Sequence, residues 1–288
     1  MILVTGATGR TGQRVVTHLR SSGQAVRILV RAHSVVPGHW DGVERATGDL
    51  DDPASLQQAM AGVDGLFLLS PMDPDLDRFE RSAIDAAVRV GVGHIVKMST
   101  TKPAPDSPIS WWRAHWRAEQ HLRACGRPWT ILRPNGIAFF LLDFARDVRE
   151  RGVMRTAAGD GRMALVDPDD IAAVAACVLA DRARYTGAVL DITGPEAVSY
   201  ADVARMLTAL IGRRVAHVDV AVDEARSTMR DGRPDWELEG VLANWLMTRD
   251  GSGGFDRVTD EVERVTGRRA RELRVFLRAH VDAFRPRG

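Results

Sequence analysis

Cysteine occurs only at Cys125 and Cys177, tyrosine only at Tyr185 and Tyr200, and lysine only at Lys97 and Lys102, in a chain of 288 residues. Two cysteines build neither a disulfide framework nor a four-thiolate metal site, so no metal is expected and both read as small core or near-core residues. Neither sign of charge dominates: 39 basic residues face 38 acidic ones, interleaved along the chain, for a net charge of +1. The footprint of nucleic-acid binding is therefore missing. The longest apolar run, Ile171 to Ala180, is about half the ~20 residues that a bilayer demands, which predicts no membrane span. Met1 leads directly into Ile2, Leu3 and Val4, with neither a basic leader nor a signal-length apolar segment, which predicts a cytoplasmic protein. Internal repeats and low-complexity tracts are absent too. With 45% hydrophobic residues, the chain has ample core for one large domain or two ordinary ones.

Present instead is an alternation of short apolar runs and amphipathic stretches, the pattern of parallel strands joined by helical crossovers. Strands are expected over Ile2 to Val4, Ala25 to Val30, Val43 to Ala46, Leu66 to Leu69, Ile95 to Met98 and Trp129 to Leu132. Helices are expected over Gly12 to Ser21, Pro53 to Met60 with Asp52 as cap, Leu76 to Val90, and Ser110 to Ala124. Gly23, Gly62, Gly91 and Gly126 stand where these helices must stop. Farther on, Ile137 to Arg151 reads as helix, 152–161 as loop, Asp169 to Leu179 as an alanine-rich helix, Val189 to Ile192 as strand, Tyr200 to Ile211 as helix and Val215 to Val220 as strand. From Val222 to Phe284 the chain reads as broken helix. The fold class is α/β, a Rossmann-type doubly wound parallel sheet with a smaller, mostly helical C-terminal cap. Residues 1–135, with 163–193 returning to them, form the expected dinucleotide-binding domain; 136–162 and 194–288 form the cap.

The first strand runs into Thr5-Gly6-Ala7-Thr8-Gly9-Arg10-Thr11-Gly12 and then a helix. Glycines spaced three and three permit a tight turn, close approach of backbone to a pyrophosphate and close helix packing, with the helix N-terminus offering N–H groups to the anion. Gly6, Thr8, Gly9, Arg10, Thr11 and Gly12 are accordingly candidate cofactor ligands. An NAD site ordinarily carries an acid at the end of the second strand to hold the ribose 2′-hydroxyl. Arg31 stands there instead, no carboxylate follows through Val36, and Arg10 adds a second cation. NADP(H) is therefore expected in preference to NAD(H).

These motifs, with Val26-Arg27-Ile28-Leu29-Val30-Arg31, Gly48-Asp49-Leu50, His115 to Glu119, Thr130 to Asn135 and Asp169-Asp170-Ile171-Ala172, resemble the NmrA-like branch of the atypical short-chain dehydrogenases/reductases. Val262 to Arg268 and the stretch after it resemble that branch too, so the likeness runs nearly end to end. It implies that Asp49 and Leu50 flank the adenine, that Leu69, Ser70 and Pro71 line the adenosine or ribose side, and that Ser99 and Thr100 lie beside the nicotinamide. Arg133 and Pro134 join the cofactor set, while Asn135 either meets a nicotinamide amide or substrate oxygen or serves a structural turn. Asp49 is otherwise a loop acid or cap, and Ser99 a turn residue. The branch includes quinone and azo-dye reductases and cofactor-sensing regulators.

Typical short-chain dehydrogenases reduce carbonyls with a Tyr and a Lys four residues apart, the Tyr protonating the developing alkoxide. Counted back from Glu119, those places hold Trp111 and His115, and neither tyrosine is expected to substitute. His115 remains a candidate acid, or else a structural hydrogen-bonding residue. Lys102 either reaches the ribose or is solvated. Trp111, Trp112 and Trp116, with Phe139 and Phe140 across the cleft, suit a flat aromatic ligand or else simply fill core. A quinone accepting hydride leaves a phenolate-like anion that scarcely needs a strong acid. The expected activity is thus an NADPH-dependent oxidoreductase passing hydride to a planar quinone-like or other conjugated aromatic acceptor without the Tyr–Lys pair; the candidate catalytic residues are His115, Ser99 and Asn135. The alternatives are an NADP-binding redox sensor without turnover and a cofactor-bound protein for coupling or tailoring aromatic metabolites.

Overall fold

In the computed structural model, which describes residues 1–230 and 232–286, the first half of the chain alternates strand and helix as its apolar runs dictate. Its elements are β1 (Ile2–Val4), α1 (Arg10–Ser21), β2 (Val26–Val30), β3 (Glu44–Thr47), α2 (Pro53–Met60), β4 (Gly65–Leu68), α3 (Leu76–Val90), β5 (His94–Met98), α4 (Ser110–Ala124) and β6 (Trp129–Pro134). Asp52 caps α2 by accepting from the N–H groups of Ala54 and Ser55, and Pro53 opens the helix, where no N–H is needed. Gly23, Gly62, Gly91 and Gly126 all take left-handed φ angles, from 72° to 80°, just beyond their helices.

The second half departs from expectation at two places. Residues 137–151 are not one α-helix but a 3-10 stretch, Ala138–Phe144, followed by α5 (Ala145–Arg151). The buried pair of the 3-10 stretch, Ala138 and Leu141, is three residues apart, the spacing that the tighter turn eclipses. The expected loop at 152–161 contains β7 (Val153–Thr156), a run too short to show a period and paired with a strand far along the chain. Then come β8 (Arg162–Met163), α6 (Pro168–Ala180), β9 (Val189–Ile192), β10 (Val198–Ser199), α7 (Tyr200–Ile211), β11 (Ala216–Asp219), α8 (Val222–Met229), α9 (Asp235–Arg249), α10 (Glu261–Thr266) and α11 (Leu273–Ala279). β7 pairs with β11 in parallel, and β8 with β10 antiparallel.

Seven strands form one parallel sheet in the order β3-β2-β1-β4-β5-β6-β9. The order reverses between β1 and β4, which opens a crevice at the carboxyl ends of the strands. α6 packs on α1 under this sheet; Ala172 and Ala175 let the helices close up, and Val15, Val16, Leu19, Ile171, Val174 and Val178 are fully buried there. Each such aliphatic side chain stabilises the fold by ~1.5–3 kcal/mol. A second core joins Trp112 of α4 to Leu141, Val203, Leu207, Leu242 and Phe276. Both cysteines are half-buried and free. Among the described residues no helix is long and apolar enough to cross a membrane. The expected cap includes residues 231, 287 and 288, which lie outside the described residues.

Candidate active site

β1 ends in Thr5, whose hydroxyl donates to Leu69 O at 2.8 Å and accepts from the Leu69 N–H at 2.8 Å, holding the ends of β1 and β4 level. The chain then turns at Gly6, with a φ of 59°, and the Gly9 N–H closes on Gly6 O at 3.0 Å. A Cβ at Gly12 would stand 2.1 Å from Gly6 O, so this glycine permits α1 to pack on the loop. A Cβ at Gly9 would meet only Gly6 O, at 3.2 Å. Gly9 caps α1 without a side chain, and the first turn holds no acid. The free N–H groups and the positive end of the helix dipole are thus left for an anion.

From this loop a continuous cleft of about 1260 Å³ runs across the carboxyl ends of the sheet. That exceeds the ~300–1,000 Å³ of an ordinary single-ligand pocket and has room for two molecules side by side. Gly6, Thr8, Gly9, Arg10 and Thr11 line one end, with Arg31 after β2 and Asp49 and Leu50 after β3. Leu69, Ser70 and Pro71 follow β4, Ser99 and Thr100 follow β5, and Pro134 and Asn135 close β6. Trp111, Trp112 and His115 of α4, with Phe139 and Phe140, give the cleft its aromatic end. Phe139 and Phe140 have ring centroids 4.6 Å apart, and the Arg10 guanidinium lies 5.3 Å from the Phe139 centroid.

Three expected residues lie elsewhere. Gly12 lies beneath the loop for the steric reason given above. Arg133 turns away to Glu119, donating through Nε at 2.9 Å and Nη2 at 2.5 Å, because a buried carboxylate claims it. Trp116 is half-buried outside the cleft; at ~100° per residue it has rotated past the face shared by Trp111, Trp112 and His115. Other groups are present but engaged. Asn135 donates through Nδ2 to Phe255 O at 2.7 Å and accepts at Oδ1 from the Gly136 N–H at 2.7 Å, so its amide serves as a structural clamp. Asp49 accepts from the Asp51 N–H at 3.0 Å. Arg31 is exposed, and its guanidinium has no partner among the described residues. Lys102 is exposed and outside the cleft. Tyr185 is core, whereas Tyr200 lines the cleft. Its hydroxyl accepts from Trp245 Nε1 at 3.1 Å, and burial pushes its pKa up to about 12.

Beneath the cleft lies a charge network that was not anticipated. Lys97 of β5 and Glu80 of α3 are wholly buried, with Nζ 2.9 Å from Oε2. Nζ also lies 3.0 Å from His115 Nδ1 and donates to Met98 O at 3.1 Å. Ser70 donates to Glu80 Oε1 at 3.1 Å. An ammonium has no acceptor, so Nδ1 accepts and the imidazole proton sits on Nε2. Nε2 has no bond to the described residues and is not a buried orphan, so it is the edge that meets the cleft. Burial, then the charge of Lys97, hold the His115 pKa below its ordinary value against the opposing pull of Glu80. Burial would raise Glu80, but Lys97 and His115 outweigh it and keep the carboxylate ionised. Ser99 donates to Glu119 Oε1 at 2.7 Å; there too burial is outweighed, by Arg133 and Ser99. The signal for this network is in the sequence: Lys97 interrupts an apolar strand, and a charge on a buried strand demands a partner.

The profile of the NAD(P)H-binding family matches residues 6–182. The NAD(P)H azoreductase of Xenophilus azovorans is 35% identical over 286 residues, covering 99% of each chain. A (4-alkanoyl-5-oxo-2,5-dihydrofuran-3-yl)methyl phosphate reductase of Streptomyces griseus is 35% identical over 289 residues, covering 99% of this chain and 100% of that one. Among solved structures, the NADPH-dependent quinone oxidoreductase of Escherichia coli complexed with NADPH superposes with a TM-score of 0.86 at 26% identity, covering 98% of this chain and 99% of that one.

Proposed function

The chain belongs to the NAD(P)H-binding family, and from that premise we propose that it is a cytoplasmic reductase of the NmrA-like branch that draws on NADPH in preference to NADH and reduces a planar, conjugated acceptor. The observation that carries this reading is the one continuous cleft that joins the glycine loop to the aromatic side chains and is lined also by His115. In this reading 1–135 with 163–193 hold the dinucleotide, and 136–162 with 194–288 supply the other wall. The α1 N-terminus and Gly9 take the pyrophosphate; Arg31 and Arg10 take the 2′-phosphate, since no carboxylate stands after β2 to hold a free 2′-hydroxyl. Asp49 and Leu50 flank the adenine, and Leu69, Ser70 and Pro71 the ribose side. Ser99, Thr100 and Pro134 border the nicotinamide, which supplies hydride when bound.

Trp111, Phe139 and Phe140 stack on the flat acceptor and exclude water from it, Trp112 backs them, and His115 presents Nε2–H to the atom that gains negative charge. No Tyr–Lys pair takes part. Azo, quinone and furanone relatives all act on conjugated groups by their names, and conjugation spreads the charge left by hydride arrival. The test is NADPH consumption against a panel of quinones, azo dyes and unsaturated ketones. Saturable turnover with at least one class is expected; tight NADPH binding without turnover on any of them overturns the reading.

A further inference from the structure

Lys97 is placed unusually for a buried ammonium. Nζ makes hydrogen bonds to Met98 O at 3.1 Å and to an imidazole nitrogen, His115 Nδ1, at 3.0 Å, and it is ion-paired with the Glu80 carboxylate, 2.9 Å from Oε2. A buried ammonium is costly to desolvate, and an apolar pair of the same volume would serve packing as well or better. What an apolar pair cannot do is fix the protonation of the neighbouring ring. The groups facing His115 are Lys97 from β5, Glu80 from α3, with Oε2 at 3.6 Å from Nδ1, and Glu119 one turn along α4. Glu119 is already engaged by Arg133 and Ser99.

We propose that Lys97, anchored by Glu80, is the proton store behind His115: it holds the imidazole as the Nε2–H donor facing the acceptor and passes its own proton to Nδ1 as the Nε2 proton leaves. The proposal rests on the reductase reading. In the step, both electrons reach the acceptor as hydride. The Nε2–H bond of His115 breaks as a bond forms from that hydrogen to the acceptor's anionic heteroatom. An Nζ–H bond of Lys97 breaks as Nδ1–H forms, leaving a neutral amine beside the Glu80 carboxylate. One solvent proton entering at Nε2 then returns the Nδ1 proton to Lys97 and restores the starting tautomer. Lys97 and Glu80 are positioning residues, since neither lines the cleft.

The relay is needed in proportion to the basicity of the reduced acceptor. A quinone leaves a phenolate-like anion that forms without help and takes its proton from water afterwards, whereas the more basic enolate from an unsaturated ketone is costly to form unless a donor protonates it as it develops. Lys97→Met alone strands the Glu80 charge and is prone to misfold, so the working variant is Lys97→Met with Glu80→Gln, which removes both charges together. Side-chain ¹⁵N NMR of the wild-type protein should show Nδ1 of His115 unprotonated and Nε2 protonated; the double variant should show mixed tautomers. With cofactor affinity unchanged, kcat of the double variant should fall by about 10- to 100-fold for an unsaturated ketone and by less than about threefold for a benzoquinone. The lost rate should return as pH falls and the imidazole gains a second proton. An Nδ1–H tautomer in the wild type, or the same loss with both acceptors, overturns the relay alone. Absence of turnover with every acceptor, cofactor bound, overturns the reductase reading and the proton transfer with it, while the tautomer measurement still judges the Lys97 arrangement.

Discussion

The indole of Trp111 fills the space that Gly240 leaves open: a Cβ on Gly240 would stand 2.0 Å from Trp111 Cζ3 and 2.4 Å from Cη2. Trp111 also meets Trp236 of the same helix edge-on, with centroids 6.4 Å apart. α9 therefore seats the tryptophan that borders the aromatic end of the cleft, although α9 itself begins more than a hundred residues later.

Gly240→Ala should push Trp111 off its seat. Stacking of this kind is worth ~0.5–1.5 kcal/mol beyond area burial, so KM for a planar acceptor should rise about 3- to 10-fold while the NADPH dissociation constant stays put. An unchanged KM would show that Trp111 does not touch the acceptor.

Gly9→Val and Gly12→Val should part company. At Gly9 the added Cβ meets only Gly6 O, at 3.2 Å, and the side chain intrudes on the space beside the α1 N-terminus, so the thermal midpoint should hold within a few degrees while NADPH binding is lost. At Gly12 it collides with the loop backbone itself, and folding should suffer. Calorimetry together with NADPH titration reads both effects. Wild-type NADPH affinity in Gly9→Val would refute the assignment of the loop.

Arg31→Ala should weaken NADPH by about 1.5–3 kcal/mol, the worth of a well-formed charged contact, and leave NADH nearly unaffected. Equal affinity of the unaltered protein for the two cofactors would end this claim at once.

Stability should fall with acid from an unexpectedly high pH. His94 is buried in β5, its Nε2 2.8 Å from Thr130 Oγ1, and burial, then the charge of Arg182, push its pKa down to about 4. The unfolded chain takes up this proton near pH 6.5 and the folded chain only near 4, so stability is fully present above about pH 6.5 and drains away as pH falls through that window. The loss is on the order of 2–3 kcal/mol. Glu80 and Glu119, held below the ordinary carboxylate range, lose their contribution at still lower pH. The urea midpoint followed from pH 8 to 4 should show the first decline, and His94→Gln, which keeps a donor for Thr130, should make it shallower, the remainder coming from His115 and His217, whose pKa values burial also holds below the ordinary one. A midpoint flat from pH 7 to 5 would contradict the account.

Much of this was legible because it is local. The Asp52-Pro53 start, the stop glycines and the glycine loop each act on their own few residues, and a parallel sheet carries its ligands at strand ends, which points to Ser70, Ser99 and Asn135 without a structure. What escaped depends on partners distant in sequence. β7 is four residues that become a strand only beside β11. Arg133 reads as a cofactor ligand until Glu119 on α4 is seen to hold it. Asn135 lines the cleft as expected, yet Phe255 O occupies its amide. Lys97 and His115 were both visible, and only the fold brings Nζ to Nδ1.

A single carbonyl, Phe255 O, accepts from the Ala164 N–H at 2.7 Å and from Asn135 Nδ2 at 2.7 Å. The end of β6, the segment after β8 and the stretch after α9 are thereby joined at one atom. A hinge that swung the aromatic end away from the sheet on this side would have to break both bonds together.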